Sequence, residues 1–388
     1  MKTSLTRRQA LKAGTLAASA AFVNLPSLFA RSSSYNAEFV SMTDEERAFY
    51  YFEGQEGVKA RLFANENPFG PSEKAIAAIT NSLKDSYMYP FDERAELQRK
   101  IAAYEGVSED HILLGAGSTQ LLMAAGVAFG MKGGEIVISH PTFDSLPKYA
   151  EGVGGKLVKI DVDNGLNQQL GKMADAVNAK TSLVYTVNPM NPTGTQVSGQ
   201  EMRDFCNSIS SKAPVFVDEA YIDYHPEGLT ASTISCVQQG KNVIVCKTFS
   251  KVHGFAGLRV GYCVARPDLL AKMKPFSTGG FDLSRPAVLA ATASVDDKAF
   301  LSMSVQQTEE SKQLLYKGLK AVGASVIPSF TNFAMFPIDM NGSTFLSRMK
   351  EKGVLVRSWN FKNQDWCRVS IGRKDEMEAF NKALAQVV

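Results

Sequence analysis

The chain has 388 residues, 45% hydrophobic and 21% charged, with a formal net charge of +3. This is the make-up of an ordinary globular protein with a sizeable core, and it gives no reason to expect a nucleic-acid partner. The five cysteines (Cys206, Cys236, Cys246, Cys263, Cys367) are scattered, and the four histidines lack ligand spacing. Buried free thiols are therefore expected, not a disulfide framework or a metal site.

Residues 1–30 differ from the rest. Thr6-Arg7-Arg8-Gln9 precedes an Ala-rich apolar run from Ala13 to Ala21 and a stretch ending at Ala30. This layout resembles a twin-arginine signal, cleaved after Ala30, and predicts a periplasmic or otherwise exported protein. An uncleaved membrane anchor or an amphipathic helix is the alternative. The twin-arginine machinery carries folded proteins, often with a cofactor already loaded.

Residues 31–60 read as a polar arm with a short helix near Asp44–Arg47. Arg61 to Pro71 is a fixed loop, and Ser72 caps a helix carrying Ala75, Ile76, Ile79 and Leu83. A loop at Tyr87–Pro90 leads to a helix with Leu97, Ile101 and Tyr104. His111–Leu114 is a short strand. Gly115-Ala116-Gly117-Ser118-Thr119-Gln120 then opens a helix from Leu121 to Phe129. Such a turn offers backbone N–H groups and a positive helix end to an anion such as phosphate. A plain helix cap is the other reading.

Strands and helices alternate from there. Apolar runs begin at Glu135, Lys156, Ser182, Pro214, Asn242 and Val260. They predict an α/β fold, a mostly parallel sheet sandwiched by helices, with ligands bound at the carboxyl ends of strands. Phe143, Asn191, Asp218, Tyr221 and Lys251 all fall there. Lys251 sits on a tight loop between two buried strands, either as a solvated surface lysine or as a desolvated nucleophile. After Arg285-Pro286 the pattern changes to one long helix from Ala287 to about Leu319, strand-like runs at 324–328, 332–336, 354–357 and 367–371, and a terminal helix. This reads as a smaller α+β domain. The expected division is a signal (1–30), an arm with part of the small domain (31–85), a major domain (86–285) and a C-terminal small domain (286–388).

Several motifs occur together and in order: Asn65-Glu66-Asn67-Pro68, Tyr89-Pro90, Asn188-Pro189-Met190-Asn191-Pro192-Thr193-Gly194, Asp218-Glu219-Ala220-Tyr221, Ser250-Lys251 with Gly257-Leu258-Arg259, and Arg368-Val369-Ser370-Ile371-Gly372. Over residues 58–385 the sequence resembles fold-type I aminotransferases dependent on pyridoxal 5'-phosphate, most closely the histidinol-phosphate aminotransferase branch. The resemblance implies that Lys251 is the Schiff-base lysine and proton carrier, and that Asp218 faces the pyridine nitrogen. Asn191 and Tyr221 would bond the ring hydroxyl, and Phe143 would stack on the ring. Ser118, Thr119, Gln120, Thr248, Ser250 and Arg259 would hold the phosphate. Tyr89 would reach the cofactor of the other subunit, which makes the enzyme a homodimer with shared active sites. Arg368, with Arg357 and Asn67, would bind the substrate.

The resemblance thus predicts transfer of an amino group between an amino donor and a 2-oxo acid. Three features loosen the substrate: the export signal, the phosphate-loop segment Gly117-Ser118-Thr119-Gln120 in place of the acidic version common in that branch, and the aromatics Trp359, Phe361 and Trp366 near both arginines. A decarboxylase or carbon–sulfur lyase on the same fold, or a non-catalytic binding protein, is the alternative.

Overall fold

The computed structural model describes residues 57–388. The twin-arginine segment and the helix expected near Asp44–Arg47 lie outside the described residues. The sequence from Ile112 to Ala265 builds a seven-stranded sheet from β2 (Ile112–Gly115), β3 (Glu135–His140), β4 (Lys156–Asp161), β5 (Thr181–Val187), β6 (Val215–Asp218), β7 (Val243–Thr248) and β8 (Gly261–Ala265). Their order is β2-β8-β7-β6-β5-β3-β4. Only β8 runs antiparallel to its neighbours.

The central strands are Val- and Ile-rich because helices cover both faces. Every residue of β2, β6, β7 and β8 is buried, the signature of a sheet with no wet side. The loops that follow β2, β3, β5, β6 and β7 therefore emerge along one edge, carrying Gly117, Phe143, Asn191, Asp218 and Lys251 to the same side.

Two smaller sheets accompany it. A two-residue strand β1 (Ala60–Arg61) pairs in parallel with β10 (Val354–Leu355). β9 (Phe333–Ile338), β11 (Arg357–Phe361) and β12 (Gln364–Ser370) form an antiparallel sheet in the order β11-β12-β9. Their own apolar cluster includes Leu62, Leu315, Phe336, Phe345, Val369 and Phe380.

Three details depart from the sequence reading. The single long helix is two, Arg285–Ser294 and Lys298–Ala321. The break falls at Asp296-Asp297, where Lys100 pairs with Asp296 and Lys74 with Asp297. The apolar run Ala324–Pro328 forms no strand; Ile327 instead packs against a cluster containing Met190 and Met335. The run at 354–357 is divided between β10 and β11.

Candidate active site

The first part of the site is an anion cradle. β2 ends at Gly115, and a helix starts at Gly117 and runs to Gly130. Gly117 has φ +74°, and a Cβ there would lie 2.3 Å from Arg259 Nη2, so only glycine admits the guanidinium. Arg259 Nη1 donates to Ser250 Oγ (3.2 Å) and Ala256 O (3.1 Å), and Nη2 reaches Thr119 Oγ1 at 3.5 Å. Thr248 Oγ1 accepts from the Ser250 N–H at 3.1 Å. Burial lowers the Arg259 pKa, but a guanidinium stays charged. The helix start adds N–H groups with no intrahelical partner at Gly117, Ser118 and Thr119. A cation, hydroxyls and free amides around a helix end suit a phosphate.

Gln120 is not part of this cradle. Its N–H is the first that the helix ladder itself uses. Its Oε1 accepts from Ala116 N (3.0 Å), and its Nε2 donates to Asp282 Oδ2 (2.7 Å) and Thr278 Oγ1 (3.2 Å). It ties the helix start to the 278–282 loop.

The second part is a buried acid and an amine. Asp218 closes β6 at 2% exposure. Its Oδ1 accepts from Ala220 N at 3.1 Å, and Tyr185 Oη lies 3.5 Å from its Oδ2. Burial pushes the Asp218 carboxyl up to about 7, opposed by those hydrogen bonds and by the Lys251 charge. A carboxyl so desolvated would ionise fully only beside a cation, which a protonated pyridine nitrogen supplies. Lys251 Nζ donates to Asn65 O at 3.0 Å and lies 5.4 Å from the Tyr221 ring centroid. Tyr221 Oη accepts from Asn65 Nδ2 at 3.1 Å. Phe143 is half-buried just past β3. Cradle, acid and amine together fit pyridoxal phosphate.

The third part is cationic. Arg368, 4% exposed on β12, donates from Nη1 to Asn191 Oδ1 (2.8 Å) and from Nη2 to Phe63 O (3.1 Å). Its guanidinium lies over Phe333 (5.1 Å) and Trp359 (4.8 Å). Arg357 is its cross-strand neighbour on β11 and lies 5.1 Å over the same Trp359 ring. Asp144 feels Arg357 electrostatically, although burial still raises its pKa.

One predicted substrate residue lies elsewhere, and Tyr89, expected to act across a dimer, is on the surface. Asn67 is taken up within the fold: Nδ2 donates to Val252 O (2.8 Å) and Ser304 Oγ (2.7 Å), and Oδ1 accepts from Phe69 N. Asn65, two positions earlier, is the residue at the site. Its backbone N–H donates to Ser370 Oγ (2.7 Å), and its carbonyl accepts from both Lys251 and Asn332 Nδ2 (3.0 Å). The motif contained both asparagines, and their hydrogen-bond partners show which one lies at the site: Tyr221 for Asn65, Val252 for Asn67. Tyr89 is 66% exposed and stacks on Phe281 at 5.2 Å, on the surface.

The comparisons with known proteins agree with this geometry. Residues 58–384 match the family model for aminotransferase class I and II. A histidinol-phosphate aminotransferase of Moorella thermoacetica is 32% identical over 336 residues, 86% of each chain. A solved structure from Erwinia carotovora atroseptica superposes with a TM-score of 0.81 at 31% identity, covering 86% of this chain and 96% of its own. The histidinol-phosphate aminotransferase of Sinorhizobium meliloti, solved in complex with pyridoxal-5'-phosphate, gives a TM-score of 0.80 at 26% identity, over 92% of this chain and 98% of its own.

Proposed function

The chain belongs to the class I and II aminotransferases and is an enzyme that depends on pyridoxal phosphate; within that family we propose that its amino donor is an amine bearing an oxyanion, of the histidinol-phosphate kind, and its acceptor a 2-oxo acid. The observation that carries this is the buried Arg368 guanidinium against Asn191, with Arg357 directly across the strand pair. Two guanidiniums beside one aromatic ring are suited to gripping a carboxylate or phosphate.

When bound, pyridoxal phosphate supplies the aldehyde that takes up the amino group and a ring that draws electrons from the substrate carbon. The chain's residues do the rest. Arg259, Ser250, Thr119 and the helix start hold the phosphate. Asp218 would face the ring nitrogen and favour its protonated form. Lys251 Nζ would hold the cofactor by its aldehyde end and, once free, would serve as the base and acid that carries the substrate proton. Arg368 and Arg357 orient the donor so that this proton faces Lys251 Nζ. Tyr221, fixed by Asn65, bonds the ring hydroxyl.

The enzyme acts as a homodimer in this reading. Tyr89, Phe91 and Phe281 are all at least half exposed and form one ring cluster, a patch that suits burial against a second copy. From there Tyr89 reaches the partner's cofactor phosphate. The major domain runs from residue 86 to about 295 in this reading, past the expected boundary at 285, because Ala287, Val288, Ala291 and Val295 pack in the same cluster as Val215 and Val245 of the large sheet; Leu315 onward belongs to the small one. We also propose export through the twin-arginine machinery to the periplasm after folding. Five free, buried cysteines agree with folding in a reducing compartment.

The test is a panel of donors, including histidinol phosphate, histidine and aromatic amino acids, each with 2-oxoglutarate. Conversion of the cofactor from its aldehyde to its amine form, with glutamate as the product, supports the reading. Carbon dioxide or pyruvate released from a single substrate, without glutamate, contradicts it.

A further inference from the structure

We propose that Trp359 is a specificity-determining residue, whose indole Nε1–H donates a hydrogen bond to the substrate oxyanion held by Arg357 and Arg368. The inference rests on the aminotransferase reading above and adds a residue that the sequence reading gave no role.

Arg357 and Trp359 alternate on β11 and so share one face of the strand. Across the pair, Arg357 lies opposite Arg368 and Trp359 opposite Trp366. The Trp359 ring therefore has one guanidinium at 5.1 Å and another at 4.8 Å. An aromatic face tolerates each cation; Asp144 already lies within electrostatic reach of Arg357, and the two guanidiniums still suit a substrate oxyanion.

The two indoles differ in how they are satisfied. Trp366 Nε1 donates to Phe361 O at 3.1 Å, whereas Trp359 Nε1 is buried and meets no acceptor among the described residues. A buried donor left unpaired is unfavourable, and an oxyanion between the guanidiniums would satisfy it. Carboxylate and phosphate oxygens accept such a bond equally well. A donor without an oxyanion would leave the N–H orphaned, so Trp359 discriminates as well as binds.

The test uses the holoenzyme and three donors on one scaffold: histidinol phosphate, histidine and histidinol, the last with no anionic group. Trp359→Phe keeps a ring beside both arginines and removes the N–H. The kcat/KM ratio of histidinol phosphate, or of histidine, to histidinol should fall about tenfold, through KM rather than kcat. The arm that falls identifies phosphate or carboxylate as the ligand group. An equal change in all three donors overturns the proposal while leaving the aminotransferase reading intact. If no donor reacts even with the unaltered enzyme, that reading fails instead.

A second measurement needs no variant. The chain has 2 tryptophans, so ¹⁵N spectra of the holoenzyme carry two indole N–H signals. Inorganic phosphate or acetate, at concentrations shown to occupy the site by equilibrium binding, should move the Trp359 signal downfield and leave that of Trp366 in place. An unmoved Trp359 signal with the site occupied contradicts the assignment, including where the phenylalanine variant does not fold.

Discussion

Gly117→Ala tests the anion cradle at its tightest point. The new Cβ would fall 2.3 Å from Arg259 Nη2 and 2.7 Å from its Cζ, at φ +74°. The backbone strain is about 1–2 kcal/mol for an alanine in the left-handed region and should appear as lost folding stability. The clash forces the guanidinium away from Ser250 and Thr119. Losing hydrogen bonds to a charged group costs roughly 1.5–3 kcal/mol, which weakens phosphate binding about tenfold to a hundredfold. Titration of the apoenzyme with pyridoxal phosphate and with pyridoxal, followed by absorbance, separates the two effects. Pyridoxal phosphate should lose most of its advantage over pyridoxal. Equal losses for both ligands, or no loss for either, would refute the placement of the phosphate between Arg259 and the helix start. Gly257→Ala on the same loop is the control, since its Cβ would meet nothing within 4 Å.

Three more outcomes follow from the buried charges. Lys247 is held by Glu105 at 3.0 Å, next in sequence to Thr248 of the cradle; Lys247→Met leaves Glu105 and Glu219 buried without their cation and should cost roughly 3–5 kcal/mol in urea unfolding. Arg368→Lys cannot keep both the Asn191 and Phe63 contacts, and should lower kcat/KM for oxyanion-bearing donors by roughly tenfold or more. Asp218 sits at about 7 in the folded chain against an ordinary 3.8. The folded apoenzyme therefore holds a proton there that the unfolded chain has lost, and stability from this group falls as pH rises from about 4 to about 7. A protonated ring nitrogen opposes that shift, so the gain in Tm on adding pyridoxal phosphate should grow between pH 5 and pH 8. In Asp218→Asn that growth should disappear.

The chemistry was legible in the sequence wherever a residue type and a strand end coincide. The strands carrying Asp218 and Lys251 are continuous apolar runs, and a buried acid or amine just beyond such a run has few ordinary uses. The choice between Asn65 and Asn67 was not legible, because both lie in one four-residue motif and tertiary partners decide which faces inward. The use of the Gln120 side chain was not legible for a similar reason: its partner Asp282 lies far along the chain. The helix break falls at Asp296-Asp297, with Asp297 the N-cap of the second helix, a local signal that the surrounding helical pattern masked; Lys74 and Lys100, some 200 residues away, pair with these aspartates.

Single-turnover spectroscopy of the holoenzyme tests the central claim most directly. Mixed with histidinol phosphate and no acceptor, the unaltered protein should lose its aldehyde-form absorbance and gain that of the amine form, and 2-oxoglutarate should reverse the change. Lys251→Ala, loaded with the same cofactor, should show no conversion on that timescale. Conversion in Lys251→Ala at the unaltered rate, or none in the unaltered enzyme with any amine of the panel, would contradict the account.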